Sequence, residues 1–324
     1  AEAEENYRKG AAEYERQRAR FITRRDFREA RRLLLGGARA AREAVADAEA
    51  RRLESETACA AAVGEAGSAV HIARLFATSV PLRARERVLL RRAEVDLASA
   101  RIHEQRGDFR AAVEAAEAAT GAAGEVHRSA FARASRFASS DHVGTWRRWI
   151  RETIDWSRRT GQAALLVIKE KNVMTLYKSG RAVRTYAVDL GSNRVADKKQ
   201  AGDEATPEGR YKITVKKDVG ESKFHRALLL DYPNDEDRRR FKKAVKSGRI
   251  PDGATPGNLI EIHGDGGRVQ DWTWGCVALA NPDMDDLFDR VEIGTPVTIV
   301  GADGRGGTFS DLVRKYPPGD EDAL

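Results

Sequence analysis

The sequence predicts two unlike parts: an all-α helical bundle or set of helical repeats over residues 1–160, then a mostly β domain over 161–303 and a C-terminal tail at 304–324. Three observations carry this. Only Pro81 of the nine prolines precedes residue 161, and 19 of the 28 glycines lie from 161 onward. Apolar residues recur at three- and four-residue steps in the first part, whereas short apolar runs bounded by Gly, Pro and Asn fill the second. Lys and Arg outnumber Asp and Glu by 31 to 24 before residue 161, and the two balance at 26 each after it.

Ala, Arg and Glu dominate the first part, and such residues lose little freedom in a helix. Helical spacing shows in Val88, Val95 and Ile102, and again in Phe109, Val113 and Ala116. Breaks are expected at Gly36-Gly37, at "VGEAGS" (63–68), at "TSVP" (78–81) and at "RGD" (106–108). "RRDFREARRLLLGGARAA" from Arg24 and "RGDFRAAVEAAEAATGAA" from Arg106 each read as an Asp-Phe turn opening a helix of small residues. They resemble tetratricopeptide helical hairpins, but their spacing of 82 residues does not match a 34-residue period, and a plain bundle fits equally. "HVGTWRRWIRETIDWSRRTG" closes the part as an aromatic helix whose Trp146, Trp149 and Trp156 are expected to pack.

In the second part, "AALLVIKEKNVMTLYKSGRAVRTYAVDLG" reads as three strands with turns at Lys171-Asn172 and Ser179-Gly180. "TPEGRYKITVKK" is a turn then a strand, and "HRALLLDYP" and "GNLIEIHG" are short strands. "NDEDRRRFKKAVKSG" is a polar helix capped by Asn234. "ANPDMDDLFDRV" is another, with Asn281 expected as N-cap and Pro282 at its first position. "GTPVTIV" is a closing strand.

No apolar run is long enough to cross a bilayer as a helix, and mean hydropathy is −0.57, so no transmembrane segment is expected. The chain opens on Ala1 without a basic-then-apolar leader, which reads as a processed or trimmed form. Cys59 and Cys276 give no disulfide framework. Cys59, in an Ala-rich helical stretch, reads as a small buried hydrophobe. No residue cluster has metal-ligand spacing, and "GDGG" lacks the Lys of a phosphate loop, so no metal or cofactor is predicted. The basic excess of the first part is nearly all Arg, a surface suited to an acidic or protein partner or simply to solvated helices. No nucleic-acid motif accompanies it, and none is expected as a ligand.

The informative stretch is "IHGDGGRVQDWTWGCVAL" at 262–279. A thiol becomes a strong nucleophile as thiolate, which needs a nearby base or amide donors. His263 ends one predicted strand and Cys276 begins the next, with a glycine-rich loop between them. The bare pair fits either a nucleophile with its base or a packed Cys beside a satisfied His. Asp265, Asp271 and Asp231 are candidates to bind a cationic group, and His225 reads as structural.

The wider pattern resembles the YkuD-type L,D-transpeptidase catalytic domain. His263-Gly264 matches the family's His-Gly, and Thr273-Trp274-Gly275-Cys276 its [Ser/Thr]-His-Gly-Cys. The hairpin from Leu165, the turn at Thr206, Pro207 and Gly209, "LLLDYPN" and "GTPVTI" follow in family order, over roughly 163–301. The resemblance implies that Cys276 is the nucleophile, His263 its base and the Gly264 carbonyl the group that orients the imidazole. It implies oxyanion donors among the amides of Trp274, Gly275 and Cys276. It places the chain in the bacterial cell envelope, in the periplasm, acting on the diaminopimelate carbonyl of peptidoglycan tetrapeptide stems. The sequence departs twice: Trp274 replaces a His, and Val277, Ala278 and Leu279 replace the Arg or Asn common beyond the Cys. Hydrolysis by the same site, or wall binding without catalysis, are the alternatives. Trp272, Trp274, Thr273 and Asp265 are the expected substrate contacts, the two indoles sharing one strand face. With His263 as base, the rate is expected to rise with pH through an ionisation near neutrality.

Overall fold

The computed structural model describes residues 1–319; residues 320–324 of the expected tail lie outside the described residues. Five helices come first: α1 (Glu2–Arg18), α2 (Arg28–Ser79), α3 (Ala84–Gln105), α4 (Phe109–Ala134) and α5 (Ser140–Thr160). Chain breaks at 80–83 and 106–108 lie where the sequence signals them, but α2 runs unbroken through Gly36-Gly37 and "VGEAGS". At Gly37 the cause is packing. A Cβ on Gly37 would stand 3.0 Å from the Ala3 carbonyl, and one on Gly10 would stand 2.8 Å from Leu34 Cγ. These glycines let α1 and α2 approach closely. Inside a long helix each costs only about 1 kcal/mol relative to Ala.

Compactness divides the chain into Ala1–Ser68 with Arg92–Gly121, and Ala69–Arg91 with the remainder from Ala122. The division therefore cuts α2, α3 and α4 and does not follow the change of composition near residue 160. In the second unit α5 is part of the body. Trp146 and Trp149 are buried among Phe137, Val300 and Phe309, and Trp156 is half-buried. A Cβ on Gly301 would lie 2.4 Å from Trp146, so the indole rests directly on the strand end. The tail carries a further helix, α8 (Thr308–Lys315), whose Phe309 and Val313 enter the same cluster.

Eight strands form one sheet in the order β3-β2-β1-β8-β4-β5-β6-β7. They are β1 (Ala163–Ile168), β2 (Val173–Lys178), β3 (Arg181–Ala187), β4 (Gly209–Lys217), β5 (Ala227–Leu230), β6 (Glu261–His263), β7 (Val277–Ala278) and β8 (Pro296–Val300). Pairs β1/β8 and β6/β7 are parallel and the others antiparallel. Beyond edge strand β3, Asp189 exchanges both 2.9 Å backbone bonds with Ala278 on the opposite edge strand. The sheet is thus curled, with Leu165, Met174, Ile213, Leu228, Ile262 and Val277 inside it.

Helix α6 (Asp235–Lys246) begins with a full capping box in which Asn234 accepts from Glu236 and Asp237 amides. Helix α7 (Asn281–Phe288) corrects one expectation: its N-cap is Ala280, not Asn281. The Asn281 side chain instead accepts the Asp265 amide at 2.6 Å, a bond that shapes the loop after β6. Loop 192–208 is tied down from beneath by Lys169. This fully buried ammonium donates to the Ala196 and Thr206 carbonyls and to Glu208 at 2.5, 2.8 and 3.0 Å.

Candidate active site

Strands β6 and β7 pair in parallel with Ile262 opposite Val277 and His263 opposite Ala278. One step back along both chains sets Cys276 beside Glu261. Side chains alternate across a strand. Ile262 and Val277 point into the core, while Glu261, His263 and Cys276 line a cleft of about 770 Å³. Phe224, Leu259, Trp272, Thr273 and Trp274 also line it, with Lys217, Glu221 and Lys223.

The His263 imidazole is buried, and its Nδ1 lies 2.6 Å from the Gly264 carbonyl oxygen. A carbonyl only accepts, so Nδ1 carries the proton and Nε2 is left as the basic nitrogen. Phe224 stacks on the ring at 3.6 Å between centroids and 9° between planes, and Trp272 meets it edge-on at 6.1 Å. Each of these aromatics also carries a cation: Lys223 Nζ is 4.9 Å from the Phe224 centroid, and the Arg268 guanidinium is 3.8 Å from that of Trp272. Gly264 is held where its carbonyl can orient the imidazole. Its amide donates to Arg226 at 3.0 Å, and a Cβ there would stand 2.7 Å from Asn281 Oδ1.

Cys276 sits on a turn closed by Thr273. The buried Thr273 hydroxyl donates to the Cys276 carbonyl at 2.8 Å and accepts the Gly275 amide at 3.2 Å. Gly275 has φ of 123°, and a Cβ there would lie 2.6 Å from the Ala205 carbonyl, so both conformation and space require glycine. Because Thr273 engages the Gly275 amide, the remaining oxyanion candidates are the amides of Trp274 and Cys276.

Burial pushes the Cys276 thiol above its ordinary pKa; the Glu261 amide opposes this, the Glu261 carboxylate adds to it, and Lys223 and Lys198 pull it down. Burial also holds the His263 imidazole below its ordinary value, against the pull of the Gly264 carbonyl. Both shifts favour a neutral thiol beside a neutral imidazole, since desolvation penalises charge. The two shifts run in opposite directions and move the ionisations of the two groups apart.

A profile of the YkuD L,D-transpeptidase catalytic domain matches residues 162–299, the span that holds the curled sheet, His263 and Cys276. Residues 162–299 form a YkuD-type L,D-transpeptidase catalytic domain. YafK of Escherichia coli K12, described as a candidate L,D-transpeptidase, is 26% identical over 129 residues. That match spans 39% of this chain and 45% of YafK, so the chain covers under half of its relative's length. An L,D-transpeptidase from Xylanimonas cellulosilytica aligns over 43% of this chain and 60% of its own at 17% identity and TM-score 0.30. The catalytic domain of the Enterococcus faecium enzyme aligns over 43% and 97% at 18% identity and TM-score 0.29.

Within the transpeptidase domain the structure brings together Cys276, His263, Gly264, Trp272, Thr273, Trp274 and Gly275. The indoles do not share a strand face: 272–276 is not a regular strand, and Thr273 makes only a single bridge to Gly191 before the chain bends. Both indoles line the cleft nonetheless. Trp272 is pinned by its Nε1 donating to Asp189 at 3.2 Å, whereas Trp274 is 82% exposed.

Asp265, Asp271 and Asp231 do not line this cleft. Asp265 turns away at φ 61° and accepts the His225 amide at 3.2 Å. Asp271 accepts from Asn172 and the Leu190 amide and pairs with Arg194, and Asp231 accepts the Lys212 amide. His225 pairs with Asp285 at 2.8 Å. Among the described residues no group of three His, Cys, Asp or Glu side chains stands ready to hold a metal ion.

Sequence reading missed Phe224 and Lys223, 39 and 40 residues before His263. Pairing of β5 with β6, with Ala227 opposite His263, brings them there. That antiparallel pairing of "HRALLLDYP" with "GNLIEIHG" was the signal available.

Proposed function

We propose that this domain is a cysteine acyltransferase of peptidoglycan. Cys276 Sγ attacks the diaminopimelate carbonyl of a tetrapeptide stem while His263 Nε2 takes the thiol proton. The amides of Trp274 and Cys276 receive the developing oxyanion. Collapse of the tetrahedral intermediate expels D-Ala, whose amine takes the proton back from the imidazolium, and leaves a thioester on Cys276. An amine of another stem or of a protein then takes the acyl group, forming a cross-link or anchoring that protein.

The observation that supports this best is the shared face of His263 and Cys276, with Nδ1 already committed to the Gly264 carbonyl. It is the arrangement a thiol needs when it has no resting partner cation. A second reading, hydrolysis of the same thioester, draws on the exposed indole of Trp274 where the family motif has His. Purified muropeptides analysed by mass separate the two. Dimers mean transfer, shortened stems mean hydrolysis, and unchanged muropeptides refute both in favour of wall binding without catalysis.

The proposal for the helical part is recruitment of an acidic wall polymer or a protein. Several of its Arg and Lys side chains are already matched along their own helices, as in Arg8–Glu4, Lys9–Glu5, Arg32–Glu29 and Arg110–Glu114. Binding through the residual charge should weaken steeply with salt, which a pull-down with insoluble peptidoglycan at two ionic strengths measures.

A further inference from the structure

The cleft holds two lysines of different standing. Lys217 is matched, its Nζ 2.6 Å from Glu261 Oε1. Lys223 has an aromatic neighbour, Phe224, and no carboxylate within ion-pair distance among the described residues. The other acid lining the cleft, Glu221, is turned to the Asp218 amide, which donates to its Oε2 at 2.9 Å. Lys223 is therefore the cleft's unmatched cation. It is also next to the chemistry: it rests on the ring that stacks on His263, and its field acts on both the imidazole and the Cys276 thiol.

A second fact comes from the strand after the nucleophile. Val277, Ala278 and Leu279 are fully buried, so the strand beyond Cys276 offers no cation to the cleft. A stem peptide brings negative charge there. It carries the C-terminal carboxylate of D-Ala close to the attacked carbonyl and the free carboxylate at the far end of the diaminopimelate side chain.

Resting on the acyltransferase reading, we infer that Lys223 forms a carboxylate-binding subsite of the catalytic cleft, on the Phe224 side of His263. The exposed ammonium gives the subsite reach, and the aromatic stack beneath fixes its approach. Its contribution is to substrate selection and positioning; the proton transfers belong to His263.

The test compares two reagents on the full chain, iodoacetate and iodoacetamide, which differ in carrying a carboxylate or a neutral amide. Modification of Cys276 is followed by mass on its peptide. Any change in thiolate population affects both reagents alike, so the ratio of their rates isolates recognition of the carboxylate. Lys223→Gln should lower the iodoacetate-to-iodoacetamide ratio about two- to fivefold, the range for one exposed charge contact. Lys223→Arg should retain most of it, and raised salt should shrink the wild-type ratio toward that of Lys223→Gln. An unchanged ratio in Lys223→Gln overturns the subsite.

A second arm uses stems amidated either at the diaminopimelate side chain or at D-Ala. The amide that removes the wild-type advantage in KM over Lys223→Gln identifies the bound carboxylate, and an equal KM penalty for Lys223→Gln on both amidated stems and the free acid overturns the assignment. If no stem is turned over while the reagent ratio still falls, the subsite stands and the acyltransferase reading fails.

Discussion

Replacing Thr273 with Val isolates the hydroxyl that closes the turn carrying Cys276. Val keeps the shape and removes two hydrogen bonds: the one donated to the Cys276 carbonyl at 2.8 Å and the one accepted from Gly275 at 3.2 Å. Thr273 and Gly275 are both buried, so water cannot replace the lost partner at the Gly275 amide. A net hydrogen bond is worth about 1 kcal/mol, and an orphaned buried donor costs about 1–3 kcal/mol more. Thr273→Val should therefore destabilise the domain by about 2–4 kcal/mol. Thr273→Ser, which loses only a methyl group, should cost about 1 kcal/mol. Urea unfolding followed by tryptophan fluorescence measures the stability. Iodoacetamide modification of Cys276 measures whether the thiol has moved relative to His263, and should slow in Val but not in Ser. A Val variant within about 0.5 kcal/mol of wild type, the range of an ordinary surface substitution, and with unchanged modification would refute the turn-closing role.

Cys276→Ala should abolish turnover of muropeptides with the fold retained, whereas Cys59→Ala, at a fully buried position, should leave turnover nearly intact; equal loss from both would reject the separation of roles. Gly264→Ala must push against Asn281 Oδ1 at 2.7 Å and His225 Cβ at 2.9 Å, so it should cost about 1–3 kcal/mol and slow Cys276 modification by displacing the carbonyl that orients His263. Because the His263 pKa is lowered on folding, the unfolded chain binds the proton first; stability should therefore fall as pH drops below 6.5, and His263→Gln should flatten that slope in urea titrations at several pH values. The raised thiol should make Cys276 modification climb beyond pH 9.0 without levelling at neutral pH. Trp274→His should keep Cys276 reactive to iodoacetamide and change the ratio of dimers to shortened stems; unchanged products and kinetics would show that the indole takes no part in substrate handling.

The β domain was legible because its signals are local. Asn172 and Gly180 have positive φ at the two predicted turns, and the apolar runs between them are the strands β1 to β3. What sequence misread was glycine and asparagine whose reasons are non-local. Gly37 looks like a helix stop until α1 is seen against it, and Asn281 looks like a cap until its side chain is seen holding the Asp265 amide. The same limit concealed the place of α5. Its tryptophans announce a packed helix, but what it packs on appears only in non-local contacts such as Trp146 with Gly301 and the 2.6 Å Thr153–Thr298 hydroxyl pair. In the cleft, residues within one motif were readable, whereas Phe224 and Lys223 depend on a strand pairing across some 40 residues.

That contrast bears on the departure at Trp274. Its neighbours are fixed by the fold: Thr273 by two hydrogen bonds, Gly275 by its φ of 123° and by the Ala205 carbonyl. Between them, the 274 side chain is 82% exposed and lines the cleft mouth. The backbone of 274 can serve the oxyanion whatever its side chain, because an amide donor does not depend on the group attached to Cα. In the proposed mechanism the base comes from β6, where the Gly264 carbonyl lies against His263 Nδ1, Phe224 stacks on the ring and Trp272 meets it edge-on. On the proposed mechanism, exchange of His for Trp at 274 therefore leaves the proton path intact and alters the wall that a substrate or acyl acceptor would meet. In the Thr-Trp-Gly-Cys run, 274 is thus the position whose exposed side chain lines the cleft mouth while the proposed chemistry calls on its backbone alone.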